Sequence, residues 1–174
     1  DPSNAVLVLG SNTATVTITD TLQATGPAGQ TITLPAGVEN LTLTGTTNIN
    51  GVGNTSSNTI RGNSGNNRLD GGADGLDEMI GGLGDDTYVV NLAFSPITEN
   101  SGEGVDTVEF NSQGPVGYSL GSNLEKLLLL GTSNLTGIGN SLDNLIQGNS
   151  GDNMLYGEDG IDTVSYAAAP GPSG

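Results

Sequence analysis

Short groups of apolar residues alternate with polar residues along this chain, and turns rich in glycine, asparagine and aspartate separate the groups. In the stretch 38–44, Leu41 and Leu43 alternate with threonines, which predicts a strand with an outward threonine face. The segment TATVTIT at 13–19 has the same alternation. These patterns are typical of strands, so we expect an all-β fold.

A unit of nine residues repeats through the chain. Each unit consists of a six-residue turn, which begins with glycine in all units but 101–109, and a three-residue strand with an apolar residue at position 8. In so short a strand the central side chain faces one way and its neighbours the other, which predicts a narrow core between two parallel sheets. The units are GNTSSNTIR (53–61), GNSGNNRLD (62–70), GADGLDEMI (72–80), GGLGDDTYV (81–89), SGEGVDTVE (101–109), GNSLDNLIQ (139–147), GNSGDNMLY (148–156) and GEDGIDTVS (157–165). The core positions are Leu69, Met79, Tyr88, Val108, Leu155 and Val164.

A longer repeat relates segment 32–70 to segment 118–156, because Glu39 and Glu125 are 86 residues apart and so are Leu69 and Leu155. After residue 70 the offset becomes 85, so one residue near Gly71 is extra. We therefore expect three parts: an N-terminal strand region (1–31), a first long repeat with nonapeptides (32–109) and a second long repeat (110–174). We interpret the chain as a segment of a larger protein.

The run Leu127–Leu130 is compatible with a helix, but its counterpart in the first long repeat alternates and Gly131 follows directly, which favours a strand. Two interpretations of the run stay open. It is either a strand buried on both faces, or a strand whose Leu128 and Leu130 form a patch that faces a partner.

The chain is strongly acidic, with a net charge of −16 from 19 Asp and Glu residues against 3 Lys and Arg residues. Nucleic acid needs a basic face and anionic membrane surfaces attract basic segments, so we expect neither partner. No apolar run reaches the roughly 18 residues of a membrane-spanning helix. The carboxylates instead favour a hard cation, calcium or magnesium.

Histidine and cysteine are both absent, which excludes Ser-His and Cys-His catalysis, histidine zinc sites and disulfide bonds. A carboxylate pair is the remaining catalytic arrangement, and the carboxylates lie in the turns. We therefore expect no enzymatic activity.

The composition of the turns fits calcium. Glycines at positions 1, 2 and 4 allow positive φ, so the turn can direct its carbonyl groups inward, and position 6 supplies a carboxylate. Two nonapeptides make one coil, so turns on the same side stack about 4.8 Å apart. A calcium ion between two turns reaches oxygens of both at about 2.4 Å, whereas magnesium prefers about 2.1 Å and retains its waters. Without a cation the stacked carboxylates repel, so we expect the calcium-free chain to fold poorly.

The tandem nonapeptides resemble the RTX, or haemolysin-type calcium-binding, repeat family. The segments GGLGDDTYVV (81–90) and ITENSGEGVDTV (97–108) are similar to the longer repeat unit of that family. The resemblance implies a parallel β-roll, or β-solenoid, with calcium in stacked Gly-Asp turns. It also implies type I secretion and folding outside the cell. The metal-site residues expected from the repeats are Asp77, Asp86, Asp106, Asp162, Asn58, Asn67, Asn144, Asn153, Gly62, Gly65, Gly72, Gly75, Gly82, Gly84, Gly102, Gly104, Gly157 and Gly160.

The repeats depart from the family pattern where asparagine replaces aspartate at position 6, in four copies, and where segment 91–96 lacks acidic residues. We expect calcium at 58–106 and 144–162, and none at 1–50. Segments 38–52 and 124–138 should continue the roll without calcium.

The favoured function is a non-catalytic calcium-binding module of a secreted bacterial protein. The alternatives are a surface adhesin or self-assembling extracellular filament segment, and an accessory module of a secreted polysaccharide-modifying enzyme. Besides calcium, self-association end to end or side by side is the partner interaction that we consider.

Overall fold

The computed structural model describes residues 20–166, which form sixteen short strands and no helix. The strand expected at 13–19 lies outside the described residues. The strands are β1 (Thr21–Ala24), β2 (Thr31–Thr33), β3 (Asn40–Leu43), β4 (Asn50–Val52), β5 (Thr59–Arg61), β6 (Arg68–Asp70), β7 (Glu78–Ile80), β8 (Thr87–Val90), β9 (Ile97–Thr98), β10 (Thr107–Phe110), β11 (Gly117–Ser119), β12 (Lys126–Leu129), β13 (Thr136–Ile138), β14 (Leu145–Gly148), β15 (Met154–Tyr156) and β16 (Thr163–Tyr166).

Odd-numbered and even-numbered strands lie in separate parallel sheets. The even strands form one eight-stranded sheet in the order β16-β14-β12-β10-β8-β6-β4-β2. The odd strands form a five-stranded sheet, β1-β3-β5-β7-β9, and a three-stranded sheet, β11-β13-β15. One odd strand, a turn, one even strand and a second turn therefore make one coil. This parallel β-roll confirms the expected fold class.

The core is a file of apolar side chains between the sheets, because the central residue of each short strand points inward. Tyr88 pairs in register with Leu69 on one side and Val108 on the other. Leu155 is half-buried and Val164 is 45% exposed, since β15 and β16 are the last strands of their sheets in the described part of the chain. The central residues that are fully buried are Leu41, Ile60, Leu69, Met79, Tyr88, Val108, Leu127 and Ile146.

The acid-poor segments 38–52 and 124–138 continue the roll, the first through β3 and β4 and the second through β12 and β13. Of the run Leu127–Leu130, the first three residues lie in strand β12 and Leu130 follows directly after it. Leu127 and Leu129 are buried in the core, whereas Leu128 and Leu130 are half-buried. The partner-facing patch therefore stays a prediction.

The extra residue near Gly71 is accommodated in a turn, 71–77, that is one residue longer than the turn 53–58 on which it stacks. No helix among residues 20–166 is long and apolar enough to cross a membrane.

Candidate metal centre

The turns of the roll stack along two edges. Turns that lead from an odd to an even strand form the first edge, and turns that lead from an even to an odd strand form the second edge. Consecutive turns of one edge are 18 to 20 residues apart in sequence, as the pairs Asn144–Asp162, Asn67–Asp86 and Asp86–Asp106 show. The sixth positions of successive turns therefore lie above one another, as the nonapeptide spacing predicts.

Carboxylates at the sixth position are linked into these stacks by backbone hydrogen bonds. Each accepts the N–H of the sixth residue in the preceding turn of its edge. The acceptors are Asp77 Oδ1 from Asn58 (2.8 Å), Asp86 Oδ1 from Asn67 (2.7 Å), Asp106 Oδ1 from Asp86 (2.7 Å), Glu125 Oε2 from Asp106 (2.7 Å) and Asp162 Oδ1 from Asn144 (2.9 Å). One oxygen of each carboxylate orients the side chain, and the second is left for another partner.

The richest cluster lies on the first edge, where turn 81–86 meets loop 99–106. It contains Asp86, Glu99 and Asp106, all buried, with one oxygen from each within 4.8 Å of the others. Asp86 Oδ2 and Glu99 Oε2 are buried without a hydrogen-bond partner among the described residues. Such oxygens are costly to bury unless a donor or a cation satisfies them.

Loop 99–106 has eight residues instead of six, and this length puts a side chain into the stack. The pairing of β7 with β9 aligns Glu99 with Gly81, the first residue of the turn below. A Cβ atom on Gly81 would overlap Tyr88 Oη, Asp86 Oδ2 and Glu99 Oε1. The missing side chain of Gly81 is therefore the space into which the Glu99 carboxylate extends.

Tyr88 lies directly under the cluster, and its hydroxyl donates a hydrogen bond to Glu99 Oε1. Burial and the neighbouring carboxylates raise the pKa of Tyr88 further above its ordinary value, so the phenol stays protonated. Tyr88 therefore holds one oxygen of Glu99 and leaves the other for a ligand.

The three carboxylates are poorly accommodated as anions without a cation. Burial raises the pKa of Glu99 to about 8 and that of Asp86 to about 7, and the other acids of the cluster add to both shifts. Burial and the charge of Glu125 raise the pKa of Asp106 to about 6. A positive charge next to these carboxyl groups would lower their pKa values and favour their charged forms.

The cluster fits calcium. A separation of 4.8 Å between oxygens is about twice the calcium–oxygen distance of roughly 2.4 Å, so one ion can contact all three carboxylates. Calcium takes six to eight oxygens, and the remaining ligands would be turn carbonyls and water. Soft or nitrogen ligands, which zinc and copper prefer, are absent from the cluster.

The predicted site residues lie in turns of two main kinds. In what we call glycine turns, 71–77, 81–86 and 157–162, two residues of each turn have positive φ: Gly72 and Gly75, Gly82 and Gly84, Glu158 and Gly160. Gly102 also has positive φ, whereas Gly62, Gly65, Gly104 and Gly157 do not. These last four provide room instead; a Cβ atom on Gly157, for example, would overlap Asp162 Oδ2.

The second kind, which we call asparagine turns, comprises 53–58, 62–67, 139–144 and 148–153, each beginning Gly-Asn and ending in Asn. In the first three, the sixth-position Oδ1 of Asn58, Asn67 or Asn144 accepts a backbone N–H of its own turn, and the amide nitrogen donates to carbonyls of the preceding turn. Asn153 Oδ1 is buried without a partner in the described structure.

The predicted aspartates are distributed over both edges. Asp86 and Asp106 meet in the cluster on the first edge, whereas Asp77 lies on the second edge beside loop 91–96 and Asp162 lies in the last described turn. Burial raises the pKa of Asp77 as well.

Sequence reasoning missed Glu99 and Glu125 as site residues. Glu99 lies seven residues before Asp106 and outside the nine-residue phase, so periodicity does not indicate it. Glu125 occupies the sixth position of a turn without the glycine pattern, and its alignment with Glu39 is the signal that marks the position.

This geometry, a parallel roll with buried carboxylates between glycine-rich turns, defines a class of cation-binding β-rolls. The family model described as RTX calcium-binding nonapeptide repeat (4 copies) matches residues 52–88 and 138–168. The chain therefore contains RTX calcium-binding repeats, which confirms the resemblance seen in its sequence.

An endo-1,3-1,4-beta-glycanase, ExsH, of Rhizobium meliloti (strain 1021) is 35% identical to this chain over 89 residues. The match covers 51% of the chain and 18% of the glycanase, so the chain corresponds to a small part of that protein. No solved structure matches the chain.

Proposed function

We propose that the chain is a non-catalytic calcium-binding β-roll module of a secreted bacterial protein and that it folds when calcium enters its turns outside the cell. The cluster of Asp86, Glu99 and Asp106 carries the proposal. Within residues 20–166, two oxygens of its three buried carboxylates have no partner, and none of the three forms an ion pair with a basic group. A divalent cation removes both the repulsion and the unsatisfied oxygens.

The ions are proposed to lie at 58–106 and 144–162, with none bound by residues 1–50. Charged ligands are supplied by the aspartates of the glycine turns and of loop 99–106, namely Asp77, Asp86, Asp106 and Asp162, and the glycine carbonyls of the same segments supply neutral ones. The sixth-position asparagines Asn58, Asn67 and Asn144 instead hold their turns by hydrogen bonds.

Circular dichroism and thermal unfolding, with and without calcium, test the proposal. Extracellular calcium modules bind with Kd of about 10⁻⁴–10⁻³ M. At free calcium ten times Kd, each ion stabilises the roll by roughly 1.4 kcal/mol. We expect calcium to raise both the strand signal and the melting temperature, and magnesium at the same concentration to do so far less. An unchanged melting curve in excess chelator would falsify the proposal.

The glycanase relative supports a second candidate, an accessory module of a secreted enzyme that acts on a β-glycan. The match covers a minor part of that enzyme, which agrees with a role outside the catalytic unit. We expect the chain alone not to hydrolyse mixed-linkage β-glucan, with or without calcium. Turnover of the polysaccharide by the purified chain would contradict the non-catalytic assignment.

A further inference from the structure

We propose that the asparagine turns are cation-free joints, in which side-chain amide hydrogens take the place of calcium and hold adjacent coils together in its absence. The inference goes beyond calcium binding, because it concerns the turns whose sixth position lacks a carboxylate. It divides the roll into coils that need calcium and coils that do not.

The second residue of each asparagine turn makes the same pair of contacts. Its Nδ2 donates to two backbone carbonyls of the preceding turn, at residues 19 and 16 positions earlier in the chain. The pairs are Asn54 to Pro35 (2.8 Å) and Val38 (2.7 Å), Asn63 to Thr44 (3.2 Å) and Thr47 (3.0 Å), Asn140 to Gly121 (2.7 Å) and Leu124 (2.8 Å), and Asn149 to Leu130 (2.9 Å) and Ser133 (3.0 Å).

Two carbonyl oxygens that converge on one point between stacked turns form half of a cation site. Here an NH₂ group occupies that point and directs one hydrogen at each oxygen. At three of the turns the sixth residue adds a further amide, as in the bond from Asn67 Nδ2 to Ile49 O (2.7 Å). The carbonyls are thus satisfied within the protein, and the donor excludes a cation from the same point.

The asparagine turns also avoid the backbone conformations of the glycine turns. The second-position Oδ1 accepts the N–H of the fourth residue, from Ser56 (2.9 Å), Gly65 (2.8 Å), Leu142 (2.9 Å) and Gly151 (2.8 Å). This is an Asx-type turn, which the side chain itself stabilises. None of the four turns contains a residue of positive φ. They therefore form without left-handed residues and without a carboxylate at the sixth position, both of which the glycine turns have.

The joints lie beneath the calcium turns on both edges. Asp77 and Asp86 each accept the N–H of the last residue of an asparagine turn, Asn58 and Asn67 respectively, and Asp162 accepts that of Asn144. Each glycine turn is therefore stacked on a turn that is already joined to the coil before it. Calcium binding would then order the glycine turns on top of these joined asparagine turns and so extend the roll.

One substitution tests the joint against a matched control in the same turn. Asn63→Asp removes both donated hydrogen bonds and places a carboxylate next to two carbonyl oxygens. Asn66→Asp makes the same change of charge at a side chain that uses only its Oδ1, which accepts the N–H of Asp85. In excess chelator we expect Asn63→Asp to lower the melting temperature of the full chain by about 5 °C or more, and Asn66→Asp by less than about 2 °C. Equal melting temperatures for the two variants would overturn the proposal.

Hydrogen exchange of the unchanged chain gives a second readout. In chelator we expect amides of β3–β6 and β12–β14 to stay protected while those of β7–β10 exchange. Uniformly fast exchange across both sets would also overturn the proposal. Failure of calcium binding is distinguishable from both results, because a chain protected at the joints and unresponsive to calcium contradicts the proposed function alone.

Discussion

Aspartate and asparagine at the sixth position of a turn make opposite hydrogen bonds with the preceding coil. The carboxylate of Asp86 accepts the N–H of Asn67, whereas the amide of Asn67 donates to the carbonyl of Ile49. The aspartate therefore keeps its second oxygen and its charge for a cation, whereas the asparagine amide satisfies a carbonyl of the preceding coil.

Asp86 is predicted to be the most sensitive single ligand. It is 1% exposed, its Oδ2 has no partner within the described residues, and the pKa of its carboxyl is raised to about 7. Asp86→Ala should raise the calcium concentration at the folding midpoint by more than about tenfold, beyond the effect of Asp77→Ala or Asp162→Ala. Calcium titrations followed by circular dichroism measure this, with the exposed Asp74→Ala as control. Equal midpoints for the three aspartate variants would show that they are equivalent ligands.

Tyr88 is predicted to position Glu99 rather than to bind the ion. Tyr88→Phe removes the hydrogen bond to Glu99 Oε1 while the ring remains in the core. Loss of such an outer partner should weaken calcium binding about tenfold. It should also reduce the luminescence of terbium bound in place of calcium, because the nearest aromatic donor is altered. Tyr118→Phe is the matched control, since Tyr118 is also buried and packs on Phe110 away from the cluster. Similar calcium affinities of the two variants would contradict the proposed role of Tyr88.

At the scale of elements, the strands form the core that stabilises the fold, and the turns carry the groups that bind a cation. The strands supply the buried apolar side chains of the core, while the turns carry the polar groups. The length of a turn decides which ligands it offers, as its composition does. The six-residue turn 81–86 has Gly81 at its first position, whereas the eight-residue loop 99–106 places the Glu99 carboxylate over that glycine. A longer turn thus adds a ligand without disturbing the register of β8 and β10.

Strand β12 carries a prediction about association. Leu128 and Leu130 are half-buried next to the buried Leu127 and Leu129, and the first long repeat has threonine at the corresponding positions Thr42 and Thr44. Changing both outer leucines to threonine should leave the calcium-loaded fold intact and weaken self-association, measured by analytical ultracentrifugation. Loss of the folded state would show instead that the outer leucines are part of the core.

At the scale of the molecule, acidic charge and a thin core make the roll sensitive to its solution conditions. The net charge is −16, and the described residues contain one ion pair, Arg68 with Glu109 at 2.7 Å. The Arg68 side chain of that pair is exposed and the Glu109 side chain is half-buried, so its contribution to stability is small. Calcium is the counter-charge that the carboxylate stacks lack.

The stability of the calcium-free roll is predicted to fall as pH rises. The pKa values of Asp106, Asp86 and Glu99 are about 6, 7 and 8 in the fold, above their ordinary values of 3.8, 3.8 and 4.5. The folded state therefore binds more protons than the unfolded chain between pH of about 4 and 8, and stability is lost as pH rises through that window. In calcium-depleted buffer the melting temperature should be higher at pH 5 than at pH 8.

Calcium should reverse this trend, because it competes with protons for the same oxygens and binds more tightly as pH rises from 6 to 8. Thermal unfolding across this range, with and without calcium, checks both signs. A calcium-free melting temperature that rises with pH would show that the carboxylates are not buried together as described.

The nine-residue phase predicts the parallel roll, the position of each core side chain and the stacking of the sixth residues, since all three follow from turns and strands of constant length. The RTX resemblance and the ligand type are readable from the same residues. The role of Glu99 cannot be read from the sequence, because Glu99 joins Asp86 only after an eight-residue loop stacks over Gly81. The role of the asparagines cannot be read from it either, because the carbonyls that accept hydrogen bonds from Asn63 belong to a turn 16 to 19 residues earlier in the chain. Local sequence states which groups a turn carries, whereas the neighbour across the stack decides whether an oxygen meets a donor or remains for an ion.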